Sequence, residues 1–334
     1  MLNYTIRRLF LAVPTLLFIS LVIFFLVKLS PSDPTANLPL TIPPEVREKI
    51  RESLGVNQPL FVQFGLWLKQ LMISEPLYWS NQIFGTNFEI GQRIISYQTR
   101  SPVMDIVIQR MPQTLTVVGT SYLVGIIIAL PIGIISAYQQ YSIFDQAGTF
   151  VSMIGFSVPP FFSGVLVIVI FSVQLGWLPS IYDTTHVVTD WDSFVVQFKQ
   201  MIMPVMVLAL QTTAQISRFL RASMLDNLNQ DYVRTARAKG LSEKVVVLLH
   251  VLRNSMIPVI TVIALGVPAI FGGAIITEQV FKVNGLGQLL IISIQAGDVP
   301  TVQTLTFMFA VLIVLFNLIA DVLYGLLDPR IRYD

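Results

Sequence analysis

The polar side chains that could act on another molecule are concentrated between Asp231 and Leu241. This segment reads Asp-Tyr-Val-Arg-Thr-Ala-Arg-Ala-Lys-Gly-Leu, and the stretch from Arg218 to Arg253 around it holds seven basic and three acidic residues. Long apolar runs stand on both sides of it. In a membrane protein, a basic segment of this kind lies on the cytoplasmic side, where a soluble partner can reach it. The pattern therefore predicts an exposed element that can meet a soluble partner.

The sequence lacks the residue patterns that support catalysis or metal binding. There is no cysteine, and two histidines, His186 and His250, are too few for a histidine metal centre. No G-x-x-x-x-G-K-[ST], H-E-x-x-H or G-x-S-x-G pattern occurs. The glycine pair of Gly285 and Gly287 is too little for a nucleotide site. We therefore predict no catalytic residue, no metal and no cofactor in this chain.

The composition predicts an all-α membrane protein. Hydrophobic residues make up 54% of the 334 residues and charged residues only 12%, against about 25% charged in a soluble domain. A helix needs about 20 apolar residues to cross a bilayer, and helices satisfy their own backbone groups there. We assign one crossing to each uncharged stretch, and treat the stretch 146–182 as a single helix with interfacial flanks. The six stretches are 9–27, 111–144, 146–182, 200–217, 254–277 and 299–320.

Basic residues predict that both termini are cytoplasmic. Arg7 and Arg8 precede the first apolar run, which lacks a small-x-small cleavage site and is predicted to remain as an uncleaved helix rather than a signal peptide. Six crossings then place eleven Lys and Arg inside, against Lys199 and Lys282 in the two short external loops. The predicted organisation is an N-terminal transmembrane helix over 1–29, an external segment over 30–110, and a five-helix core over 111–334 with a cytoplasmic loop at 218–253.

The external segment contains two predicted short helices. One begins at Pro43-Pro44-Glu45, carries Val46, Ile50 and Leu54 at helical spacing, and is expected to end at Gly55. The second covers Gln63 to Met72 and contains Trp67, and residues 75–101 are predicted to be irregular. The segment is either a solvated cover over the outer mouth or a docking surface for an external protein.

Small residues and helix breakers mark the predicted membrane helices. Small residues every four positions let helix backbones approach closely in lipid, and Pro or Gly can interrupt a helix where it lines a cavity. The spacing of the small residues could alternatively arise by chance in a Gly- and Ala-rich helix. The Pro and Gly residues could alternatively mark only irregular packing. The small residues are Ser121, Gly125, Ala129, Gly133 and Ala137, and the predicted breaks are Pro131, Pro159, Pro160, Gly266, Pro268, Gly272 and Gly273.

The basic segment is predicted to be a helix, a glycine turn and a second helix. Asp231 suits a helix start, and Gly240 suits a stop in left-handed geometry. Tyr232, Val233 and Ala236 share one face, while Ser242 is expected to cap a second helix that runs through Val245 to Leu252. From the residues alone, the segment could also be a linker facing lipid headgroups or a solvated connector. A helix-turn-helix for nucleic acid is disfavoured because both ends continue into membrane helices.

Residues 231–242 resemble the EAA loop of bacterial ABC-importer permeases. Gly240 matches the motif glycine and Ala236 its second alanine, while Arg234 and Thr235 replace the Glu and first Ala. Both this replacement and the long spacing from Gly240 to Pro258 are typical of the dipeptide/oligopeptide/nickel permease group. Further matches to that group are Arg7-Arg8-Leu9, Pro14-Thr15-Leu16, Pro31-Ser32-Asp33-Pro34, Met111-Pro112-Gln113-Thr114-Leu115, Ser157–Phe161, Gly176–Pro179, Gly285–Leu289 and Leu327–Arg330.

This resemblance implies the fold of a type I ABC-importer permease in the bacterial inner membrane. The implied partners are a second homologous permease, two ABC ATPase subunits that carry ATP and Mg²⁺, a periplasmic or lipid-anchored substrate-binding protein and membrane lipid, with no nucleic acid. Residues 75–90 look like an insertion relative to most members. The resemblance implies that the ATPase subunits contact Asp231, Tyr232, Arg234, Thr235, Ala236, Arg237, Lys239, Gly240 and Leu241.

The function that the resemblance favours is ATP-driven import of di- or oligopeptides by alternating access. Within the same group, a nickel chelate, glutathione or another small solute is the alternative substrate. A secondary transporter is the alternative from another class, and it would need ionisable groups at mid-membrane depth. Asp321 and Glu278 instead lie near the ends of their predicted helices.

Overall fold

A computed structural model describes residues 2–29, 43–53, 57–272 and 274–327. Over these ranges the chain is helical and forms no strand, as the composition predicts. Five helices are long and apolar enough to cross a membrane, and the bent pair α5–α6 counts as a sixth. In chain order, the helices are α1 (Leu2–Leu29), α2 (Pro44–Ser53), α3 (residues 60–84), α4 (Val103–Tyr138), α5 (Ile143–Ser157), α6 (Pro160–Gln174), α7 (Trp191–Leu228), α8 (Asp231–Ala238), α9 (residues 243–272), α10 (Ile275–Phe281), α11 (Leu286–Gln295) and α12 (Val299–Leu327).

The small residues of α4 form the packing seam that their spacing predicts, and α7 packs into it. A Cβ added at Gly125 would lie 2.6 Å from the Cβ of Thr212, and one at Gly133 would lie 3.0 Å from the backbone oxygen of Ser217. Thr213 Oγ1 also donates to the carbonyl of Gly125 at 3.1 Å. Residue numbers rise together along both helices, so α4 and α7 run parallel.

Because α4 and α7 are parallel, the chain between them must return across the membrane once. The pair α5–α6 makes this crossing. Near the start of α5, Asp145 pairs with Arg221 in the last third of α7, whereas residues of α6 pack near Met203, closer to the start of α7. The axes of α5 and α6 differ by 105° across Pro159 and Pro160. The single crossing predicted within 146–182 is therefore present and is broken at the two prolines as predicted, but it consists of two helices rather than one.

The first and last membrane helices pack antiparallel and bring the start of α1 beside the end of α12. Arg8 Nη1 lies 2.7 Å from Asp321 Oδ2. At the other end, Phe24 of α1 and Phe307 of α12 both pack against Trp67 of α3. Asp321, which is within an apolar run of the sequence, is therefore one half of an ion pair.

The external segment is more helical than its composition suggests. Helix α3 continues through residues 75–84 and ends at Gly85 with φ +66°, so the prediction of irregular structure holds only beyond that point. In addition, α4 begins at Val103, inside the predicted external segment 30–110. Leu54 and Gly55, predicted to finish the first short helix, lie outside the described residues.

Two polar clusters hold the chain after α3 in place. Arg93 forms ion pairs with Glu75 and Asp105, both at 2.8 Å. The buried carboxylate of Asp298, just before α12, accepts hydrogen bonds from Ser96 Oγ at 2.5 Å and from the backbone N–H of Tyr97 at 2.8 Å. The loop between α3 and α4 is therefore tied to the start of the last membrane helix.

Three of the predicted helix breakers leave their helices continuous. Pro131 lies inside α4, and Gly266 and Pro268 lie inside α9. Gly272 is the last residue of α9, and the chain resumes as helix α10 at Ile275. The interruption predicted near the two glycines is thus present at Gly272, while Gly273 lies outside the described residues. Neighbouring helices satisfy backbone groups that a proline frees, which lets these helices continue.

The seam between α4 and α7 gives a first prediction. We expect Gly125→Val to lower thermal stability, because the new side chain must displace Thr212, and overpacking costs about 1–3 kcal/mol. Thermal unfolding of the purified protein, followed by fluorescence, measures the change. Gly65→Val in α3 is the matched control, since a Cβ there meets no atom within 4 Å. Equal unfolding temperatures for the two variants would contradict the close packing of α7 against Gly125.

Candidate coupling site

Helix α8 is amphipathic, and its apolar face is part of the protein core. Val233 and Ala236 are buried in one cluster with Ala137 of α4, Met224 of α7 and Val246 of α9. Burial of these apolar side chains fixes α8 against three membrane helices, because separation would expose them to water. A displacement of α8 would therefore disturb the packing at the ends of α4, α7 and α9.

The turn after α8 has the geometry predicted for a glycine stop. Gly240 has φ +77°. Its N–H donates to the carbonyl of Arg237 at 2.9 Å, and the N–H of Leu241 donates to the carbonyl of Ala236 at 3.4 Å. These two bonds form the Schellman motif, which ends a helix with a residue in the left-handed region. The prediction for Gly240 is confirmed at the level of local structure.

The opposite face of α8 presents charged groups to solvent. The side chains of Asp231 and Arg234 are 95% and 73% exposed and lie 3.4 Å apart at their closest charged atoms. Arg237 pairs with Glu243 across the glycine turn at 2.8 Å. The structure thus brings the predicted contact residues together on one short helix and its turn. Thr235 and Lys239 are also exposed, and Tyr232 and Leu241 are 36% and 39% exposed. Among the predicted contact residues, Ala236 alone faces the core.

The segment after the turn differs from its prediction in two ways. Ser242 stands at the start of α9, but its side chain forms no capping hydrogen bond. The second helix also does not end at Leu252, because α9 continues into the membrane as far as Gly272. Likewise, α7 extends to Leu228, so much of the predicted loop 218–253 belongs to the two membrane helices.

Contacts between Ser223 and Ser255 link α7 and α9 beside α8. Ser223 Oγ donates to the carbonyl of Ser255 at 3.0 Å, while Ser255 Oγ lies 2.9 Å from the carbonyl of Val251 in its own helix and 3.3 Å from the carbonyl of Ser223. Ser255 is fully buried. These bonds join the helices on both sides of α8, so movement of α8 is expected to carry both helices with it.

Gly266 is the predicted break residue that the structure places at a cavity. The hydroxyl of Tyr122 donates to the carbonyl of Ile263 at 2.6 Å and occupies the space that a side chain at position 266 would need. A cavity of about 220 Å³ lies here between α4, α7 and α9, and Thr212 also lines it. The pathway role of Pro131, Pro159, Pro160, Pro268, Gly272 and Gly273 remains a prediction.

Sequence reasoning missed the ion pair of Asp145 and Arg221. Asp145 Oδ1 lies 2.6 Å from Arg221 Nε, and the carboxylate is buried between α5 and α7. The sequence does contain a signal for this ion pair, because Asp145 is the single charged residue between the uncharged stretches 111–144 and 146–182. A lone acid at such a position predicts a buried partner, since an unpaired charge is costly there.

Comparison with known proteins decides the family. Residues 129–333 match the family described as binding-protein-dependent transport system inner membrane component, and residues 1–118 match the N-terminal family of such membrane components. The chain belongs to this permease family. It is therefore a membrane-spanning subunit of an ABC import system, located in the inner membrane, and its family works with ATPase and substrate-binding partners. Permease subunits of this family are generally non-catalytic.

Several relatives match the permease over its whole length. It is 37% identical over 334 residues to the oligopeptide transport system permease protein AppB of Bacillus subtilis, with 99% of each chain covered. It is 38% identical over 337 residues to the glutathione transport system permease protein GsiC of Escherichia coli K12, with both chains fully covered. A putative peptide transport system permease protein of Brucella abortus is 34% identical over 330 residues, with 98% of each covered.

Proposed function

We propose that this permease forms half of the pore of an ATP-driven importer of di- and oligopeptides. A second permease forms the other half, two ABC ATPase subunits bind ATP and Mg²⁺, and an external binding protein delivers the peptide. The chain itself carries no catalytic group and no cofactor. The observation that supports the proposal best is α8, whose apolar face is anchored in the core by Val233 and Ala236 while its charged face is exposed.

The anchoring of α8 supports a mechanism of alternating access. An ATPase that holds α8 differently in its open and closed states would bias the permease between inward-facing and outward-facing arrangements, since only a differential interaction can shift such an equilibrium. The buried contacts of α8 with α4, α7 and α9 transmit that bias to the membrane helices. This chain supplies the gated path, and the partner subunits supply the energy.

The proposed orientation gives a second prediction. The start of α1, the end of α12 and α8 share one end of the molecule, which we assign to the cytoplasm because Arg and Lys are concentrated there. The chain lacks cysteine, so an introduced cysteine is the one thiol of the permease that the reagent can label. We expect Ser242→Cys to be protected from a membrane-impermeant thiol reagent and Gln82→Cys to react, in cells with a permeabilised outer membrane. The reverse pattern of labelling would overturn the orientation.

Peptide is the proposed substrate because two of the full-length relatives are described as oligopeptide or peptide permeases. Glutathione is the second candidate, since a glutathione permease is equally similar. The nickel-chelate and other small-solute alternatives rest on the resemblance of the sequence to the wider group. Uptake of labelled tripeptide with an excess of unlabelled peptide, glutathione or nickel chelate as competitor separates these substrates.

Reconstitution tests the whole proposal. The permease alone in nanodiscs or liposomes should neither hydrolyse ATP nor accumulate solute against a gradient. Together with the second permease, the ATPases and the binding protein, it should support ATP hydrolysis that the peptide-loaded binding protein stimulates. Peptide uptake by the isolated chain, driven by a proton or sodium gradient without ATP, would favour a secondary transporter and overturn the importer proposal.

A further inference from the structure

A cavity of about 550 Å³ lies between α5 and α7, toward the end of the molecule that carries α8. Phe156 of α5 lines one wall, and Gln215, Arg218 and Phe219 of α7 line the other. The volume falls in the range of about 300–1,000 Å³ that is typical of small-ligand sites. The size of this cavity therefore suits a small ligand, and its polar lining indicates which kind.

Arg218 gives this cavity a positive charge that no carboxylate neutralises. The residue is exposed, and within the part of the chain that the structure describes it pairs with no acid. Its guanidinium carbon lies 5.9 Å from the ring centroid of Phe156, and such a contact leaves the N–H groups free to donate. Arg221, one turn further along α7, is in contrast held by both oxygens of Asp145 at 2.6 and 2.7 Å. Arg218 is therefore available to an anionic ligand.

The open face of α7 continues from this cavity into a second one. Gln215 and Phe219 also line the cavity of about 220 Å³ between α4, α7 and α9, so the two cavities adjoin along α7. Tyr122 and Thr212 line the second cavity. The distance along α7 from Thr212 to Arg218 is about 9 Å, at about 1.5 Å per residue. A row of polar side chains therefore runs along this face of the helix.

The depth of these polar groups argues against a surface that faces lipid tails. Thr212 packs beside Gly125, which lies near the middle of the uncharged stretch 111–144. Gln215, one turn further along α7, is exposed. Polar side chains in membrane helices face the protein interior or a water-filled cavity, because contact with hydrocarbon is costly. We therefore expect this face of α7 to border a wet space inside the assembled pore.

The lining fits the carboxylate end of a peptide. Among the described residues, no acidic side chain lines either cavity, so Arg218 sets the charge of this face. A guanidinium can bind a carboxylate through two parallel N–H···O bonds. The amide of Gln215 offers a donor and an acceptor to a peptide bond. Phe156 and Phe219 give an apolar wall for a peptide side chain.

We propose that the peptide passes along the open face of α7 between α5 and α9, and that Arg218 binds its C-terminal carboxylate there. Gln215 contacts the peptide backbone beside that carboxylate. The inference rests on the proposed peptide import. It adds the face of this chain that lines the route and the residue that holds the charge of the substrate.

The reactivity of single cysteines tests the route in the assembled transporter, held in nanodiscs, with the label read on the separated permease chain. We expect Gln215→Cys to react with a hydrophilic thiol reagent, because the route contains water. Ile127→Cys is the matched control, since Ile127 is 68% exposed and lies at a similar depth, two residues after Gly125, but lines neither cavity. It should react about tenfold more slowly, as a lipid-facing position does. Equal reactivity of the two cysteines would contradict the route.

Protection of Gln215→Cys by ligands identifies what binds. Trialanine should slow the reaction, and equal protection should need about tenfold more trialanine amide, which lacks the carboxylate. Addition of Arg218→Gln should remove this difference, whereas Arg218→Lys should keep part of it because the charge remains. No protection by trialanine, or equal protection by inorganic phosphate, would overturn the peptide site. Protection that instead depends on phosphatidylglycerol in the nanodisc would show a lipid site in its place.

Uptake of trialanine by the complete transporter gives an independent readout. Arg218→Gln should lower the initial rate about tenfold with all subunits still assembled, and Arg218→Lys should retain more. Lys199→Gln is the matched control, because it removes a cation from the opposite end of α7 and lines neither cavity. It should transport as the parent protein does. Normal uptake by Arg218→Gln would sink the role of Arg218 alone, whereas absence of peptide uptake by the parent would sink the proposed substrate.

Discussion

Gly240→Val is expected to abolish ATP-dependent uptake while the protein still inserts into the membrane. The residue has φ +77°, where a β-branched side chain is costly, and strain of this kind amounts to about 1–3 kcal/mol. Relief of that strain would break the Schellman turn and change the angle between α8 and α9. The ATPase subunits should then be poorly retained on purification. Uptake and subunit retention are measured together.

A second glycine with positive φ, Gly85, provides a control that separates loss of coupling from general destabilisation by backbone strain. Gly85 has φ +66°, and a Cβ added there, like one at Gly240, meets no atom within 4 Å. Gly85→Val thus places the same backbone strain at the end of α3, far from α8. We expect it to leave uptake near normal, and Gly240→Asn to retain part of the activity because Asn tolerates the left-handed region. Normal uptake by Gly240→Val would remove this turn from the mechanism.

The features that the sequence predicts well are those set by local spacing. Five small residues at four-residue intervals on α4 become the seam against α7, because a helix places residues i and i+4 on one face. The helix-glycine-helix pattern at α8 also forms as predicted, since Gly240 is compatible with a φ that other residues avoid. In both places, the structure follows from residues within a few turns of one another.

The features that the sequence does not predict depend on which helices become neighbours. Pro131 and Pro268 are helix breakers by local rules, yet their helices continue because packing against other helices holds them. The break at Pro159 and Pro160 follows from the sequence, but the angle of 105° between the two helices does not, because it depends on how each helix packs against α7 and its other neighbours. The cavity between α5 and α7 also needs Phe156 and Arg218 in one place, and nothing in a stretch of sequence relates positions so far apart.

The burial of α8 gives the last prediction, Val233→Asp. Val233 has no exposed surface and packs among apolar residues of α7 and α9. A carboxylate there would be buried without a partner, at a cost of several kcal/mol, so α8 should leave its site although the charged contact face is unaltered. We expect ATP-dependent uptake to fall to background. ATPase stimulation by loaded binding protein should be lost as well.

Val187→Asp is the matched control for this substitution, because Val187 is 71% exposed in an external loop. It should retain uptake with the same change of charge. Val233→Thr keeps the shape of valine, and its hydroxyl can bond to the carbonyl of Gln230, three residues earlier, which already accepts from the N–H of residue 233, so it should retain more uptake than Val233→Asp. If Val233→Asp transported as well as Val187→Asp, α8 would not transmit force through its buried face, and coupling would have to pass through its exposed charges alone.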